Sequence, residues 1–277
     1  MSYYMTPEMT KIAAQYDLKT LQSSREAFDP DIDNYIVVNT VNEAWEYWYA
    51  RLLDQYRGNL RCAESRDGAV AAEILNAITV VKDPTRMIVT SPARKLPMRY
   101  AVGELLWYMS GSNRLKDIQL FSSAWDRMSD DGKTVNSGYG HKIFNFYGFN
   151  QFDDVMKRLT ADPNSRQAVI HIKDPRPISD PTKDTPCTLS LQFFIRDGKL
   201  HLTVTMRSND IWTGVPYDMF SFCCFQVILA MQLGVGVGTY THQAGSLHIY
   251  ERNLPQGEQE GDQNAKAQDT KRSSKQT

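Results

Sequence analysis

The sequence predicts an α+β fold in which a large mixed, partly antiparallel sheet packs around a buried central helix. Three observations carry that prediction. Helical and strand periodicities are mixed irregularly along the chain, without the strict alternation of a doubly wound sheet. Leu189–Ile195 and Leu200–Met206 read as strands paired across Arg196-Asp-Gly-Lys199, a hairpin signal because Asp-Gly tolerates the positive φ angles of a two-residue turn. Ser221–Leu233 is almost wholly apolar and ends before Gly234, which predicts a helix buried on all sides.

In chain order, residues 1–35 are mixed and polar and read as an N-terminal lead-in. Thr40-Val-Asn-Glu43 has the spacing of a capping box, and the residues from Ala44 to Leu53 follow with helical spacing until Gly58 ends the run. A second helix is expected from about Pro97 to Ser110, carrying Glu104 and stopping at Gly111. Ala168–Ile172 reads as a strand, ahead of the hairpin and the apolar helix. One catalytic domain is therefore expected over residues 36–253. Beyond it, residues 254–277 contain no aromatic and only Leu254 as a large aliphatic. Such a segment cannot bury enough apolar surface to offset its ordering entropy, so a polar, disordered tail is expected. No internal repeat is present.

The composition narrows the function classes. The 277 residues are 42% hydrophobic, enough for a sizeable core. Lys and Arg number 31 against 32 Asp and Glu, so no global field draws the chain to nucleic acid or a membrane surface. An anionic ligand must instead be held by a local cluster of arginines. The four cysteines, Cys62, Cys187, Cys223 and Cys224, form no C-x-x-C pair, which argues against a disulfide framework or a zinc site and fits a reducing cytoplasm. No charged-then-apolar leader and no apolar run near the ~20 residues of a membrane span is visible. A soluble cytoplasmic protein with no metal is expected.

Polar chemistry concentrates in Arg207-Ser-Asn-Asp-Ile-Trp-Thr-Gly-Val-Pro-Tyr-Asp218, twenty residues after the Pro186-Cys187 step. A single cysteine beside a strand is most often a small buried hydrophobe. Here Pro186 fixes the backbone before it, and Arg207 falls at the corresponding edge of the paired strand, where a cation would lower the thiol pKa. Other residues also read two ways. Glu104 is either a solvated helix residue or, beside Leu105, Leu106 and Trp107, an inward-facing acid. Trp125 and Tyr139 are core aromatics or site walls, His248 a structural histidine or a ligand contact, and Asp218 the N-cap of the apolar helix or a base-reading carboxyl.

Several motifs recur in a fixed order: Glu104-Leu-Leu-Trp107, Trp125-Asp126, Gly138-Tyr139-Gly140, Ser165-Arg166, Pro186-Cys187, Arg207-Ser208-x-Asp210 and His248-Ile-Tyr250. Together they resemble the thymidylate synthase family over roughly residues 60 to 252. The resemblance implies a thymidylate synthase-like fold, a homodimer, a pyrimidine nucleoside monophosphate as substrate and 5,10-methylenetetrahydrofolate as cosubstrate. It implies Cys187 as the nucleophile, with Glu104, Tyr139 and Asp218 in catalysis. It further implies Arg66, Arg166, Arg207, Ser208, Asp218, His248 and Tyr250 on the nucleotide, Arg166 acting across the dimer. Trp125, Asp210, Gly214 and Tyr217 fall to the folate. Thr188 stands where the family usually has His, Gln167 replaces a second arginine of the cross-dimer pair, and Met128 replaces an aromatic.

The departure that bears most on substrate is Asp218, since the family carries Asn after its Leu-Pro-Phe. A side-chain amide satisfies both N3–H and O4 of uracil. Cytosine reverses the pattern, with N3 an acceptor and N4–H₂ a donor, and a carboxylate suits it. The expected reaction is C5 hydroxymethylation of dCMP through a Cys187–C6 adduct, as in bacteriophages that modify their DNA cytosine. Met128 and the absence of an apolar closing segment after Leu254 both favour water over hydride as the final donor. The alternatives are C5 methylation of dUMP or dCMP, hydroxymethylation of dUMP or CMP, and a silent nucleotide-binding protein that kept the fold.

Overall fold

A computed structural model describes residues 34–57, 62–64, 69–94, 96–175 and 182–254. The chain divides into Met1–Asn34 and Tyr35–Thr277, and the account below concerns the second unit. The expected lead-in, Gly58, Arg66 and the polar tail beyond Leu254 lie outside the described residues.

Eight strands make one mixed sheet: β1 (Tyr35–Val38), β2 (Cys62–Glu64), β3 (Val70–Val81), β4 (Val169–His171), β5 (Thr188–Arg196), β6 (Lys199–Met206), β7 (Asn209–Asp210) and β8 (Gly236–Tyr250). The order is β1-β3-β8-β6-β5-β4, with β2 added to β3 and β7 to β8. Strand β8 pairs antiparallel with β3 but parallel with β6 and β7, so the sheet is mixed at its centre. The hairpin forms as its Asp-Gly step requires, with Asp197 at φ 50 and Gly198 at φ 69 between Arg196 and Lys199.

Among the described residues six helices accompany the sheet: α1 (Val41–Arg57), α2 (Met98–Met109), α3 (Leu115–Gln119), α4 (Tyr139–Phe144), α5 (Gln151–Ala161) and α6 (Val215–Leu233). A 3₁₀ turn spans Ser123–Arg127. The capping box is made: Glu43 N–H donates to Thr40 Oγ1 at 3.1 Å, and Glu43 Oε2 accepts from Asn39 N–H at 2.8 Å. Helix α2 ends as expected, its Ser110 C-cap followed by Gly111 at φ 68.

The buried helix is longer than its apolar run. It starts at Val215, six residues before Ser221, because Pro216 in its first turn is pre-set for helix and Gly214 takes the N-cap position. Asp218 is therefore inside the first turn, and the N-cap alternative for it fails. Helix α6 lies against β6 and β8 and packs α1, α2 and α5 around it. Along β6 and β8 buried residues alternate with half-buried ones, as the period of two in a pleated strand dictates. The other sheet face leaves Tyr35, Val37 and Leu75 exposed.

Candidate active site

The hairpin and the start of α6 bring the candidate residues together. Cys187 sits one residue before β5 and is half-buried. Arg207 follows β6, and its backbone N–H donates to the Cys187 carbonyl at 2.8 Å. Its guanidinium donates to Pro186 O at 3.1 Å and Thr185 O at 2.9 Å, and reaches Cys187 Sγ at 3.5 Å. The arginine is thus tied to the backbone that presents the thiol.

The thiol is not activated in this state. Burial pushes Cys187 up to about 11; Arg207 opposes that rise, while Asp218, Asp184 and Asp210 reinforce it. The sequence-based expectation of a lowered thiol pKa is corrected here, because one cation is outweighed by lost hydration and three carboxyls. Thr188, next to Cys187, donates its backbone N–H to Tyr139 Oη at 3.4 Å. Tyr139 begins α4, and its ring stacks between Tyr108 at 5.2 Å and Phe222 at 6.0 Å.

Two buried carboxyls face the same region. Glu104 on α2 accepts from Tyr100 Oη at 2.6 Å and also bonds Tyr108; burial raises its pKa to about 7 against the pull of those hydroxyls. The solvated-helix reading of Glu104 fails, since the side chain is buried. Asp218 lies well above the usual carboxylate range, first because of burial and then because of Glu104, with a hydrogen bond from Asn209 acting the other way. Burial thus favours the protonated form of Asp218, whereas the sequence suggested a carboxylate there.

An aromatic wall lines the side given by sequence to the folate. Trp125, in the 3₁₀ turn, donates Nε1–H to Tyr100 Oη at 3.0 Å, and the Tyr100 ring meets Tyr217 edge-on at 4.8 Å. Tyr217 Oη accepts from Arg94 at 3.0 Å, and Arg94 lies 5.1 Å over the half-exposed ring of Trp212. Planar rings and a cation in one line suit a flat heterocycle with an anionic tail. Asp210 is partly committed to its own turn, accepting from Trp212 N, Thr213 N and Thr213 Oγ1 at 2.7, 3.2 and 2.7 Å. A carboxylate has roughly four lone-pair sites, so three bonds leave one for a ligand.

The remaining candidates are dispersed around this cluster. His248 and Tyr250 lie on β8 with rings 5.0 Å apart, and β7 brings Asp210 into register with His248. His248 has its pKa lowered by burial, partly offset by Asp210. Ser208 lies between β6 and β7, and Gly214 caps α6. Arg166 is exposed, and among the described residues no hydrogen bond joins its guanidinium to the Cys187–Arg207 cluster. Asp184 was missed from sequence: it is buried, accepts from Ser137 N at 2.7 Å and adds to the field on Cys187. Tyr100, Tyr108, Asn209 and Arg94 were missed as well. Their one sequence signal was polar character next to motif residues.

A half-buried thiol beside an arginine, two buried carboxyls and an aromatic wall thus converge at the start of α6. The thymidylate synthase family model matches residues 49–272, and the chain belongs to that family. A deoxyuridylate hydroxymethyltransferase of Bacillus phage SP01 is 33% identical over 191 residues, covering 64% of this chain and 50% of that protein. A thymidylate synthase of Bacillus atrophaeus is 30% identical over 169 residues, covering 58% of this chain and 74% of that protein. The chain thus spans about half the length of the phage relative. The fold is that of the thymidylate synthase from T4 phage, with a TM-score of 0.62 at 23% identity over 73% of this chain and 76% of that one. Thermostable thymidylate synthase A of Bacillus subtilis gives 0.61 at 24% identity over 76% and 80%.

Proposed function

We propose that this chain catalyses C5 hydroxymethylation of dCMP, with 5,10-methylenetetrahydrofolate as cosubstrate and water as the oxygen donor. The observation that carries the choice of base is Asp218, buried at the floor of the site with a raised pKa. A neutral carboxyl donates O–H to cytosine N3 and accepts from N4–H₂, one bond to each edge group. When Cys187 adds to C6, electron density moves toward N3. The Asp218 proton then passes to N3, an interaction stronger in the transition state than in the ground state.

The other residues divide the remaining work. Arg207 stabilises the Cys187 thiolate as its proton leaves and the S–C6 bond forms. Arg207 also supplies charge for the nucleotide phosphate, together with Arg66, Ser208 and a second subunit's copy of Arg166. His248 and Tyr250 meet the sugar. The folate supplies a carbon unit at the methylene oxidation level. Glu104, titrating near neutrality, takes the C5 proton with Tyr139 through water and passes it to the tetrahydrofolate nitrogen as the bond from that nitrogen to the transferred carbon breaks; the carboxylate so restored takes a proton from the water that becomes the hydroxyl. Restoration of the C5–C6 double bond expels Cys187. Trp125, Tyr217, Gly214 and Asp210 form the cosubstrate side.

The hydroxymethyl outcome is supported by the phage relative's activity and by Met128, which is exposed at the end of the 3₁₀ turn. A homodimer is supported by the exposed apolar residues Tyr35, Val37 and Leu75 on one sheet face and by the exposure of Arg166, whose guanidinium makes no hydrogen bond to the Cys187–Arg207 cluster among the described residues. One observation favours a second reading, hydroxymethylation of dUMP: the phage relative is named for deoxyuridylate. A neutral carboxyl turned end for end would also pair with N3–H and O4 of uracil.

Asp218→Asn separates the two. With its oxygen toward N3 and its nitrogen toward the 4-position the amide matches uracil, and in that orientation it leaves cytosine a buried mismatch worth about 1–3 kcal/mol. The ratio of kcat/KM for dCMP over dUMP should fall by about 10- to 100-fold. A ratio that does not move would return Asp218 to a purely structural role in the first turn of α6.

A further inference from the structure

Residues 182–187, which lead into β5 and end on Cys187, form neither helix nor strand. No ladder or helical bond fixes such an arm, so its position depends on the side chains and loops that clasp it. Arg207 holds one end, donating from its guanidinium to Thr185 O and Pro186 O and from its backbone N–H to Cys187 O. The other end lies along residues 129–137, the loop that follows the 3₁₀ turn carrying Trp125.

Asp130 is the hub of that second clasp. Its Oδ1 accepts from Lys183 N–H at 2.8 Å. Its Oδ2 accepts from Asn136 Nδ2 at 2.8 Å and lies 2.8 Å from Thr182 Oγ1. Asn136 Nδ2 is also 3.0 Å from Thr182 Oγ1, so carboxyl, amide and hydroxyl close a triangle. Lys183 Nζ donates to Ser129 O at 3.0 Å, and Ser137 N–H donates to Asp184 Oδ2 at 2.7 Å. The donors around Asp130, Lys183 N–H first, hold its carboxyl below the usual carboxylate range, so at neutral pH it accepts as an ion. Hydrogen bonds to an ionised acceptor are roughly twice as strong as neutral ones. The neighbouring Asp131 bonds its own turn instead, accepting from Lys133 N, Thr134 N and Thr134 Oγ1.

We propose that Asp130 is a positioning residue that pins residues 182–183 and thereby fixes where the Cys187 thiol stands against the carbon it attacks. The inference rests on Cys187 as the nucleophile of the proposed reaction, and not on the choice of base. A nucleophile must sit within about 3–3.5 Å of its target, and a displacement of about 1 Å costs on the order of 10²-fold in rate. Without Asp130 the arm keeps its Arg207 end and loses the other. Substrate still binds, but the thiol is no longer held in line.

The test uses the full chain with 5,10-methylenetetrahydrofolate and whichever of dCMP and dUMP the wild-type enzyme converts. Asp130→Ala should lower kcat at least about tenfold, with KM for nucleotide and folate changed less than about threefold. It should also change the rate of iodoacetamide labelling of Cys187 at fixed pH by at least about threefold, because the surroundings of the thiol alter. Asp130→Asn keeps an acceptor for Lys183 N–H and should recover most of kcat, a rescue that a collapsed fold would not show. Asp131→Ala loosens the same loop without cutting its bonds to the arm, and should lower kcat less than Asp130→Ala does. An Asp130→Ala enzyme in which kcat or Cys187 labelling stays within about twofold of wild type would overturn the inference and leave the proposed reaction standing. Equal losses of kcat from the two alanine variants would do the same. Turnover by Cys187→Ser would overturn both.

Discussion

At Cys187 a cation and a loss of hydration act in opposite directions, and hydration wins. Arg207 reaches Sγ at 3.5 Å, yet burial and three nearby carboxyls hold the thiol at about 11. The thiolate fraction must therefore keep growing with pH well above neutrality. Iodoacetamide labelling of Cys187, read by peptide mass spectrometry to separate it from Cys62, Cys223 and Cys224, should rise continuously from pH 7 past pH 9. A plateau reached by pH 7.5 would show that Arg207 dominates instead. Glu104 gives a second titration. Its carboxyl is raised to about 7, and the proposed mechanism needs it ionised, so kcat should fall as pH drops through about 7. Glu104→Gln should lower kcat and remove that limb; a limb that persists belongs to another group. The two titrations differ in how far they were visible in the sequence. Cys187 and Arg207 could be picked out by type and spacing. Asp184 and Tyr100 could not, although Asp184 lies three residues before Cys187 and Tyr100 one helical turn before Glu104, because the way each side chain faces is decided by packing and not by its type or spacing.

At the scale of elements, helix α6 does most to build the site. Its apolar stretch was plain from Ser221 onward, but the turn that carries Tyr217 and Asp218 was not, because polar and proline residues there mask the helical pattern. Gly214 is needed at its start for space rather than for φ, which is −109. An added Cβ would lie 2.9 Å from the Asp210 carbonyl and collide with Asn209, whose amide is already held by Met206 and His242. Gly214→Ala should cost about 1–3 kcal/mol in urea denaturation, in line with other overpacked sites. A neutral substitution would mean that Asn209 is free to move aside. The hairpin of β5 and β6 was fully legible, since Asp197-Gly198 dictates a local turn. Strand β8 was not, since Gln243, Gly245 and Ser246 interrupt its apolar alternation and its 15 residues are held by strands far away in sequence.

Across the whole molecule, family membership and the mixed sheet follow from motifs dispersed over the chain, each ordinary by itself and specific in combination. What the motifs leave open is the base and the fate of the added carbon; in the proposed mechanism both turn on buried protons at Asp218 and Glu104, whose pKa values burial raises. No helix among the described residues is long and apolar enough to cross a membrane. The central claim is that the site selects cytosine and finishes with water. Mass spectrometry of the products from an equimolar mixture of dCMP and dUMP with 5,10-methylenetetrahydrofolate tests both halves at once. A gain of CH₂O on dCMP alone is the predicted result. A gain of CH₂ on either nucleotide, or of CH₂O on dUMP in preference to dCMP, would contradict it.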